Sequence, residues 1–196
     1  DLHFMQLALA LGRRGLGASA PNPAVGAVLV KDGVIVGRGW TQPGGRPHAE
    51  AEALRRAGEA ARGATLYVTL EPCSHVGKTP PCADAVIAAG ITRVVSAIED
   101  PTPEVRGQGH ARLRAAGISV EVGLCAVGAA HHHAGHFRRV RDKRPHVILK
   151  LATSSDGKIA AAGGKPVAIP GEAARARVHL LRAQCNSILV GIGTVL

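Results

Sequence analysis

Four residues in three short motifs have the types and spacing of a metal-dependent catalytic site. His48 and Glu50 lie two residues apart at a predicted helix start. Cys73 follows a proline at the end of a predicted strand, and Cys82 follows a proline in the first turn of the next predicted helix. One imidazole and two thiols suit tetrahedral zinc, and three protein ligands leave a fourth position for water. Zinc lowers the pKa of such a water toward neutrality. Glu50 need not bind the metal, so its carboxylate is free to carry the proton of that water to a substrate nitrogen.

The alternative to this open site is a closed structural one, with His75 as the fourth ligand. His75 lies among the eight residues that separate the two cysteines, at 74–81. Closed zinc sites usually pair their ligands through short C-x-x-C spacings, which favours the open site here. We also expect the positive end of a helix dipole at Cys82 to favour its thiolate.

The elements that must position these residues alternate along the chain. Apolar periodicity and turn residues predict helices at 4–11, 48–61, 79–89 and 107–116, and strands at 24–30, 34–39, 64–70, 93–98 and 118–124. Asp32-Gly33 between the first two strands predicts a hairpin. We therefore predict, over residues 1–144, an α/β domain with a five-stranded mixed sheet and helices on both of its faces.

A connection and a second, incomplete domain are predicted after the fifth strand. Small residues, the His131-His132-His133 run and the basic run at 138–144 favour a solvated connection. From 145 onward, a strand, a helix and a strand are predicted, at 146–151, 171–183 and 187–191. Such a β-α-β unit of about 50 residues is too small to bury a parallel sheet alone. Cys125 and Cys185 adjoin apolar segments and are predicted to be buried, inert thiols.

Composition and charge limit the possible partners. The 196 residues are 46% hydrophobic and 19% charged, which excludes a disordered chain. A net charge of +10 favours anionic partners, but an aromatic content of 2% argues against a protein that stacks the bases of single strands. No apolar run approaches the about 20 residues of a membrane helix, and no export signal is evident. We therefore expect a cytoplasmic protein that binds a small phosphorylated ligand, without a membrane partner.

The motifs together resemble one known family over essentially the whole chain. His-x-Glu followed by two Pro-Cys motifs is the pattern of zinc deaminases, although eight residues rather than two separate the cysteines here. With the segments at 21–26, 71–75 and 77–82, the chain closely resembles the bifunctional riboflavin-biosynthesis deaminase/reductase family. The resemblance implies a three-layer α/β/α cytidine-deaminase-like domain at 1–144. It also implies the start of a dihydrofolate-reductase-like α/β domain at 145–196.

The resemblance further implies activities and residue roles. The first domain would remove the 2-amino group of a phosphoribosylated diaminopyrimidinone, and the second would reduce the ribosyl group with NADPH. Zinc is implied at His48, Cys73 and Cys82, with Glu50 as proton shuttle. The resemblance also implies three further sets of contacts. Those with the pyrimidine substrate are at Asn22, His75, Lys78 and Asp100. Those with NADPH are at Ala152 and Thr194, and Arg182 would lie near the phosphate of the reductase substrate.

Some positions depart from the family pattern. Thr41 and Thr102 stand where His and Asn are more usual, Ser155 replaces a Leu, and residues 165–168 lack the expected Ser and Trp. The sequence stops where the cofactor-binding Asp of the reductase family is expected to follow. We therefore predict deaminase activity but no reductase activity from these residues, and a homo-oligomeric assembly.

Two alternatives remain at this point. One is a tRNA or nucleic-acid base deaminase of the same fold, which a positive charge would suit. The other is a non-catalytic, zinc-stabilised RNA-binding module. Basic and acidic residues number 18 and 12 in 1–144 and 6 and 2 in 145–196. The positive charge is thus spread over both parts instead of forming a stripe, which makes a nucleic-acid partner less favoured.

Overall fold

Five strands of the computed structural model form one mixed sheet, which confirms the predicted fold class. The model describes residues 1–77 and 79–195, without the side chains of 194 and 195. The strands are β1 (Gly26–Lys31), β2 (Val34–Trp40), β3 (Thr65–Val68), β4 (Arg93–Ser96) and β5 (Ser119–Val122), in the order β2-β1-β3-β4-β5. β1 runs antiparallel to β2 and β3, whereas β3, β4 and β5 are parallel.

Helices cover both faces of this sheet. They are α1 (Leu2–Gly12), α2 (Ala49–Ala57), α3 (Cys82–Ala88), α4 (Gln108–Ala115), α5 (Ala126–His132) and α6 (Ala134–Asp142). Successive residues of a strand point to opposite faces. On one face Val28 and Val30 pack with α1 and α5, and on the other Ala27 and Leu29 pack with α2, α3 and α4. The result is a three-layer arrangement.

Helix α3 begins three residues later than predicted. A residue that precedes proline is pushed out of the helical region, which excludes Pro80 from the helix because Pro81 follows it. Pro81 itself is extended, with φ −57° and ψ 140°, and caps the helix. Cys82 is consequently the first residue of α3.

The predicted connection at 126–144 is wrong, because α5 and α6 occupy most of it. Ala129 is fully buried, Phe137 is 7% exposed and His133 is 2% exposed. The small residues that suggested a linker instead allow α5 to pack closely beside α1. Phe137 anchors α6 in the core on the other face of the sheet.

The chain divides into two units, Asp1–His146 and Val147–Leu196. The second unit contains α7 (Glu172–Ala183), as predicted, and α8 (Ile192–Val195). The strands predicted at 146–151 and 187–191 are not present among its described residues. Val147, Leu149 and Leu189 are 78%, 79% and 99% exposed, so these segments have no neighbouring strand or helix to bury their apolar side chains. Across the described parts of both units, no helix is long and apolar enough to cross a membrane.

Close packing at Gly109 provides a test of this fold. A Cβ at Gly109 in α4 would lie 2.0 Å from the carbonyl oxygen of Pro72. The backbone must move to relieve that clash, so we expect Gly109→Ala to lower the free energy of unfolding by about 3 kcal/mol. Urea unfolding measures the change. Gly128→Ala is the control, because its Cβ would meet only the Leu9 side chain at 3.5 Å. Equal stability of the two variants would contradict the close packing.

Candidate active site

The structure brings His48, Cys73 and Cys82 together at one end of the sheet. The Nδ1 atom of His48 lies 3.3 Å from the Sγ of Cys82 and 3.7 Å from the Sγ of Cys73. All three ligand atoms lie within 4.8 Å of one another. One nitrogen and two sulfurs at this spacing fit Zn²⁺. Within the part of the chain that the structure describes, His75 is exposed and is not a member of this cluster.

Two ligands lie at helix starts, and the third lies in the loop between β3 and α3. His48 is the extended residue that precedes α2, and Cys82 opens α3. Cys73 follows β3 and is held to α3 by the backbone N–H of Ala83, which donates to its carbonyl oxygen at 3.1 Å. Helix α2 approaches β2 closely because Gly39 has no side chain, and a Cβ there would lie 2.4 Å from the carbonyl oxygen of Ala49. The local fold therefore fixes all three ligands.

The start of α3 favours a thiolate at Cys73. Hydrogen bonding from Cys82 lowers the pKa of the Cys73 thiol to about 4. The backbone N–H of Cys82 also donates to the Sγ of Cys73, at 3.3 Å. The interaction with Cys73, together with burial, raises the pKa of Cys82 well above its usual value. The hydrogen bond to Cys73 likewise raises the pKa of His48.

Glu50 lies in the first turn of α2, and its side chain is enclosed beside the cluster. The residue is 3% exposed. Burial raises the pKa of its carboxyl to about 7, and the negative charge of Cys73 acts in the same direction. A carboxyl with a pKa near neutrality can both accept and release a proton at physiological pH. Glu50 therefore has the environment of a general acid/base.

Asn22, one of the predicted substrate contacts, adjoins the metal cluster. Its side-chain Nδ2 donates to the carbonyl oxygen of Gly45 at 2.9 Å and lies 3.1 Å from the Nε2 of His48. His75 lies apart from this contact, on the exposed segment between the cysteines, where it lines an open surface cavity with Ser74 and Arg112. Lys78 lies outside the described residues.

Asp100, the fourth predicted contact, follows β4 and lines a cavity of about 240 Å³. Burial alone would raise the pKa of its carboxyl, but hydrogen bonds from His136 and Thr102 outweigh burial and lower that pKa. Thr102, one of the two departures from the family pattern, donates its backbone N–H to the Oδ1 of Asp100 at 2.8 Å. The other departure, Thr41, is buried, and its Oγ1 accepts from the backbone N–H of Val25 at 3.0 Å.

Glu71 is a site-supporting residue to which the sequence analysis gave no role. Its carboxylate accepts from the backbone N–H of Asp100 at 3.3 Å, of Gly107 at 2.9 Å and of His110 at 3.1 Å. It thereby caps α4 and ties the loop after β4 to the segment that carries Cys73. An acidic residue directly before Pro72-Cys73 was the available signal.

The His131–His133 run is packed against the domain and is not solvated as predicted. His131 is exposed, but His132 is half-buried, with its Nε2 beside the carbonyl oxygen of Ala24, and His133 is buried. Cys125 and Cys185, predicted to be buried, are only partly so. The histidines are packed because α5 forms and turns one of its faces toward the sheet.

The buried imidazole of His133 should make the folded chain less stable in mild acid. Burial lowers the pKa of its imidazole to about 3. The nearby His132 and His136 also lower this pKa, whereas Asp100 acts to raise it. An unfolded His titrates near about 6.5, so the unfolded chain gains a proton that the folded chain does not. The contribution of His133 to the free energy of unfolding is therefore complete above about pH 6.5 and is lost as the pH decreases toward 3.

We expect His133→Gln to reduce this acid dependence by up to about 1.4 kcal/mol per pH unit. Urea unfolding over a pH series measures it. His131→Gln, at the exposed neighbouring position, is the control and should leave the slope unchanged. An unchanged slope in His133→Gln would show that another group carries the acid sensitivity.

The residues with predicted roles in the second unit are Ala152 and Thr194, for NADPH, and Arg182, for a substrate phosphate. Ala152 is half-buried in a segment without a strand, Arg182 is exposed on α7, and the side chain of Thr194 lies outside the described residues. Val147, Ile148 and Leu149, which precede Ala152, are 78%, 52% and 79% exposed. These contacts therefore stay predictions.

Comparisons with known proteins place these observations in context. The family described as "Cytidine and deoxycytidylate deaminase zinc-binding region" matches residues 1–98, and the "RibD C-terminal domain" matches 145–196. The riboflavin biosynthesis protein RibD of Escherichia coli is 52% identical over 196 residues, which are 100% of this chain and 53% of that protein. The chain therefore spans about half the length of the curated relatives it matches.

Solved structures agree with this similarity. A diaminohydroxyphosphoribosylaminopyrimidine deaminase/5-amino-6-(5-phosphoribosylamino)uracil reductase from Thermotoga maritima has a TM-score of 0.91 and 45% identity, over 99% of this chain and 56% of that one. A structure from a study of A-to-I editing by tRNA:A34 deaminases has a TM-score of 0.51 and 32% identity, over 67% of this chain and 99% of that one. The Thermotoga maritima structure is thus the more similar of these two, in both TM-score and sequence identity.

Proposed function

Because the chain belongs to the RibD-type riboflavin biosynthesis proteins, we propose that its first unit hydrolytically deaminates a phosphoribosylated diaminopyrimidinone. The observation that carries this proposal is the buried Glu50 beside the His48, Cys73 and Cys82 cluster. The proposal concerns residues 1–146, which contain every member of that site. It includes no reductase step.

Glu50 supplies the proton chemistry. Zinc held by His48, Cys73 and Cys82 would activate water as the nucleophile for the carbon that carries the exocyclic amine. The Glu50 carboxylate accepts a proton from that water and donates it to the amine nitrogen. As the carbon–nitrogen bond breaks, ammonia leaves with that proton. The second proton of the water passes to the adjacent ring nitrogen, so a carbonyl group remains on the ring. The pKa of Glu50, about 7, suits both proton transfers.

The predicted contacts bind the substrate around that reaction. Asn22 directs its Nδ2 to Gly45 and His48, so its Oδ1 is the atom that can accept a hydrogen bond from the edge of a pyrimidine ring. Asp100 accepts a hydrogen bond from a hydroxyl or N–H of the substrate. His75 and Lys78 belong to the segment between the cysteines, where a positive charge would bind the 5′-phosphate.

Ammonia release from three substrates tests the proposed function. The zinc-loaded chain is incubated with the phosphoribosylated diaminopyrimidinone, with cytidine, and with a tRNA anticodon stem-loop. We expect release from the first, at a kcat/KM at least 100-fold above that for the other two. Release from the RNA alone would overturn the substrate assignment and favour the base deaminase. Zinc binding without release from any substrate would favour a binding module.

A further inference from the structure

His136 in α6 contacts Asp100, which the proposed function places against the substrate. The Nε2–H of His136 donates to the Oδ1 of Asp100 at 3.2 Å. The side chains are 8% and 9% exposed, so water competes little for this contact. A charge-assisted hydrogen bond in such a setting restricts the rotation of the carboxylate.

Both hydrogen bonds to the Asp100 side chain go to the same oxygen. Thr102 donates its backbone N–H to Oδ1 at 2.8 Å, and His136 donates to Oδ1 as well. Among the described residues, Oδ2 accepts no hydrogen bond. Asp100 lines the cavity of about 240 Å³, and Oδ2 is the carboxylate oxygen left for a further hydrogen bond.

The backbone of Asp100 is fixed independently of its side chain. The carboxylate of Glu71, two residues before Cys73, accepts from the backbone N–H of Asp100 at 3.3 Å. Asp100 is thus anchored to the metal-binding segment by its main chain and to α6 by its carboxylate. His136 controls only the second of these, the direction in which the carboxylate points.

We propose that His136 is a positioning residue for deamination, which holds Oδ1 of Asp100 so that Oδ2 accepts a hydrogen bond from a hydroxyl or N–H of the substrate. This inference rests on the proposed function. It gives α6, which the sequence pattern assigned to a linker, a part in substrate binding through Asp100. His136 acts through Asp100 and does not itself meet the reacting atoms.

Steady-state kinetics of matched variants test this role on the full, zinc-loaded chain. His136→Leu fills the space without a donor, and we expect it to raise KM enough to lower kcat/KM by about 10 to 100-fold, with little change in kcat. His136→Gln, whose amide can replace the Nε2–H donor, should return to within about threefold of the unmodified chain. His131→Gln, at the exposed position on α5, is the control and should not change either parameter.

A double variant separates positioning from a general loss of structure. If His136 acts through Asp100, His136→Leu combined with Asp100→Asn should be no worse than Asp100→Asn alone. Additive losses would overturn the inference, and so would unchanged kinetics in His136→Leu or in Asp100→Asn. Zinc content and the urea midpoint of each variant show whether any loss of activity comes from unfolding.

Binding to a variant that cannot turn over distinguishes this inference from the proposed function. Calorimetry measures the affinity of Glu50→Gln for the phosphoribosylated diaminopyrimidinone, with and without His136→Leu. Weaker binding in the double variant supports the positioning role even where the unmodified chain releases no ammonia. Equal binding overturns the role while deamination by the unmodified chain still stands. Absence of both binding and deamination overturns the proposed function and this inference together.

Discussion

Replacing Glu50 by glutamine is expected to reduce deamination by at least about 10³-fold while zinc remains bound. The amide has nearly the same shape as the carboxyl group but cannot accept a proton from water. Glu50 is not needed as a ligand, because the cluster consists of His48, Cys73 and Cys82. Burial already disfavours the charged form of Glu50, so a neutral side chain of equal size should not lower stability. Ammonia release measures activity, and elemental analysis measures zinc.

Glu52→Gln is the matched control for this variant. Glu52 lies on the same helix, but its carboxylate pairs with the guanidinium groups of Arg55 and Arg56, at 2.8 Å and 2.7 Å. Glu52 contacts these arginines and lies outside the described metal cluster, so activity should be kept. Because Glu52 itself is only 6% exposed, the urea midpoint of this variant is measured beside its activity. A Glu50→Gln chain that still turned over at more than a tenth of the normal rate would contradict the assigned proton transfer.

Replacing Cys73 by serine is expected to remove both zinc binding and the stability that zinc provides. A hydroxyl is a poor substitute for a thiolate ligand, and the pKa of about 4 for the Cys73 thiol favours the thiolate form that binds a cation. Zinc at 100 times its dissociation constant stabilises a folded chain by about 2.7 kcal/mol. A chelator should therefore lower the free energy of unfolding of the unmodified chain by about that amount.

The same chelator should leave the stability of Cys73→Ser unchanged, because that variant holds no zinc to remove. Cys125→Ser is the control, since Cys125 is partly buried and lies outside the described cluster. It should lose stability on chelation as the unmodified chain does. If Cys73→Ser retained one zinc per chain, the ligand assignment would be incorrect.

The sheet and its outer helices were predictable because each carries a strong local pattern. Asp32-Gly33 marks the hairpin between β1 and β2, and the helices before and after the cysteines have a regular apolar spacing. The metal cluster could be anticipated for a related reason. Its ligands lie at helix starts and in the loop after β3, where a parallel sheet places neighbouring segments side by side.

Features that depend on distant contacts could not be predicted in this way. The histidines of α5 and α6 are polar and adjoin small residues, and only their packing against Ala24, Thr69 and Asp100 shows that they are interior groups. The capping of α4 by Glu71 likewise joins residues more than 30 positions apart. In the described part of the second unit, the apolar segments that were predicted as strands are exposed and do not pair, so their local pattern did not predict their structure.

Deamination in water labelled with heavy oxygen tests the central claim most directly. The zinc-loaded chain is mixed with the phosphoribosylated diaminopyrimidinone in labelled water, and mass spectrometry follows the pyrimidine product. The account predicts that ammonia is released and that one labelled oxygen enters the ring carbonyl of each product molecule. It also predicts that Glu50→Gln forms almost no product in the same time. Product without the label, or equal product from Glu50→Gln, would contradict hydrolysis assisted by Glu50.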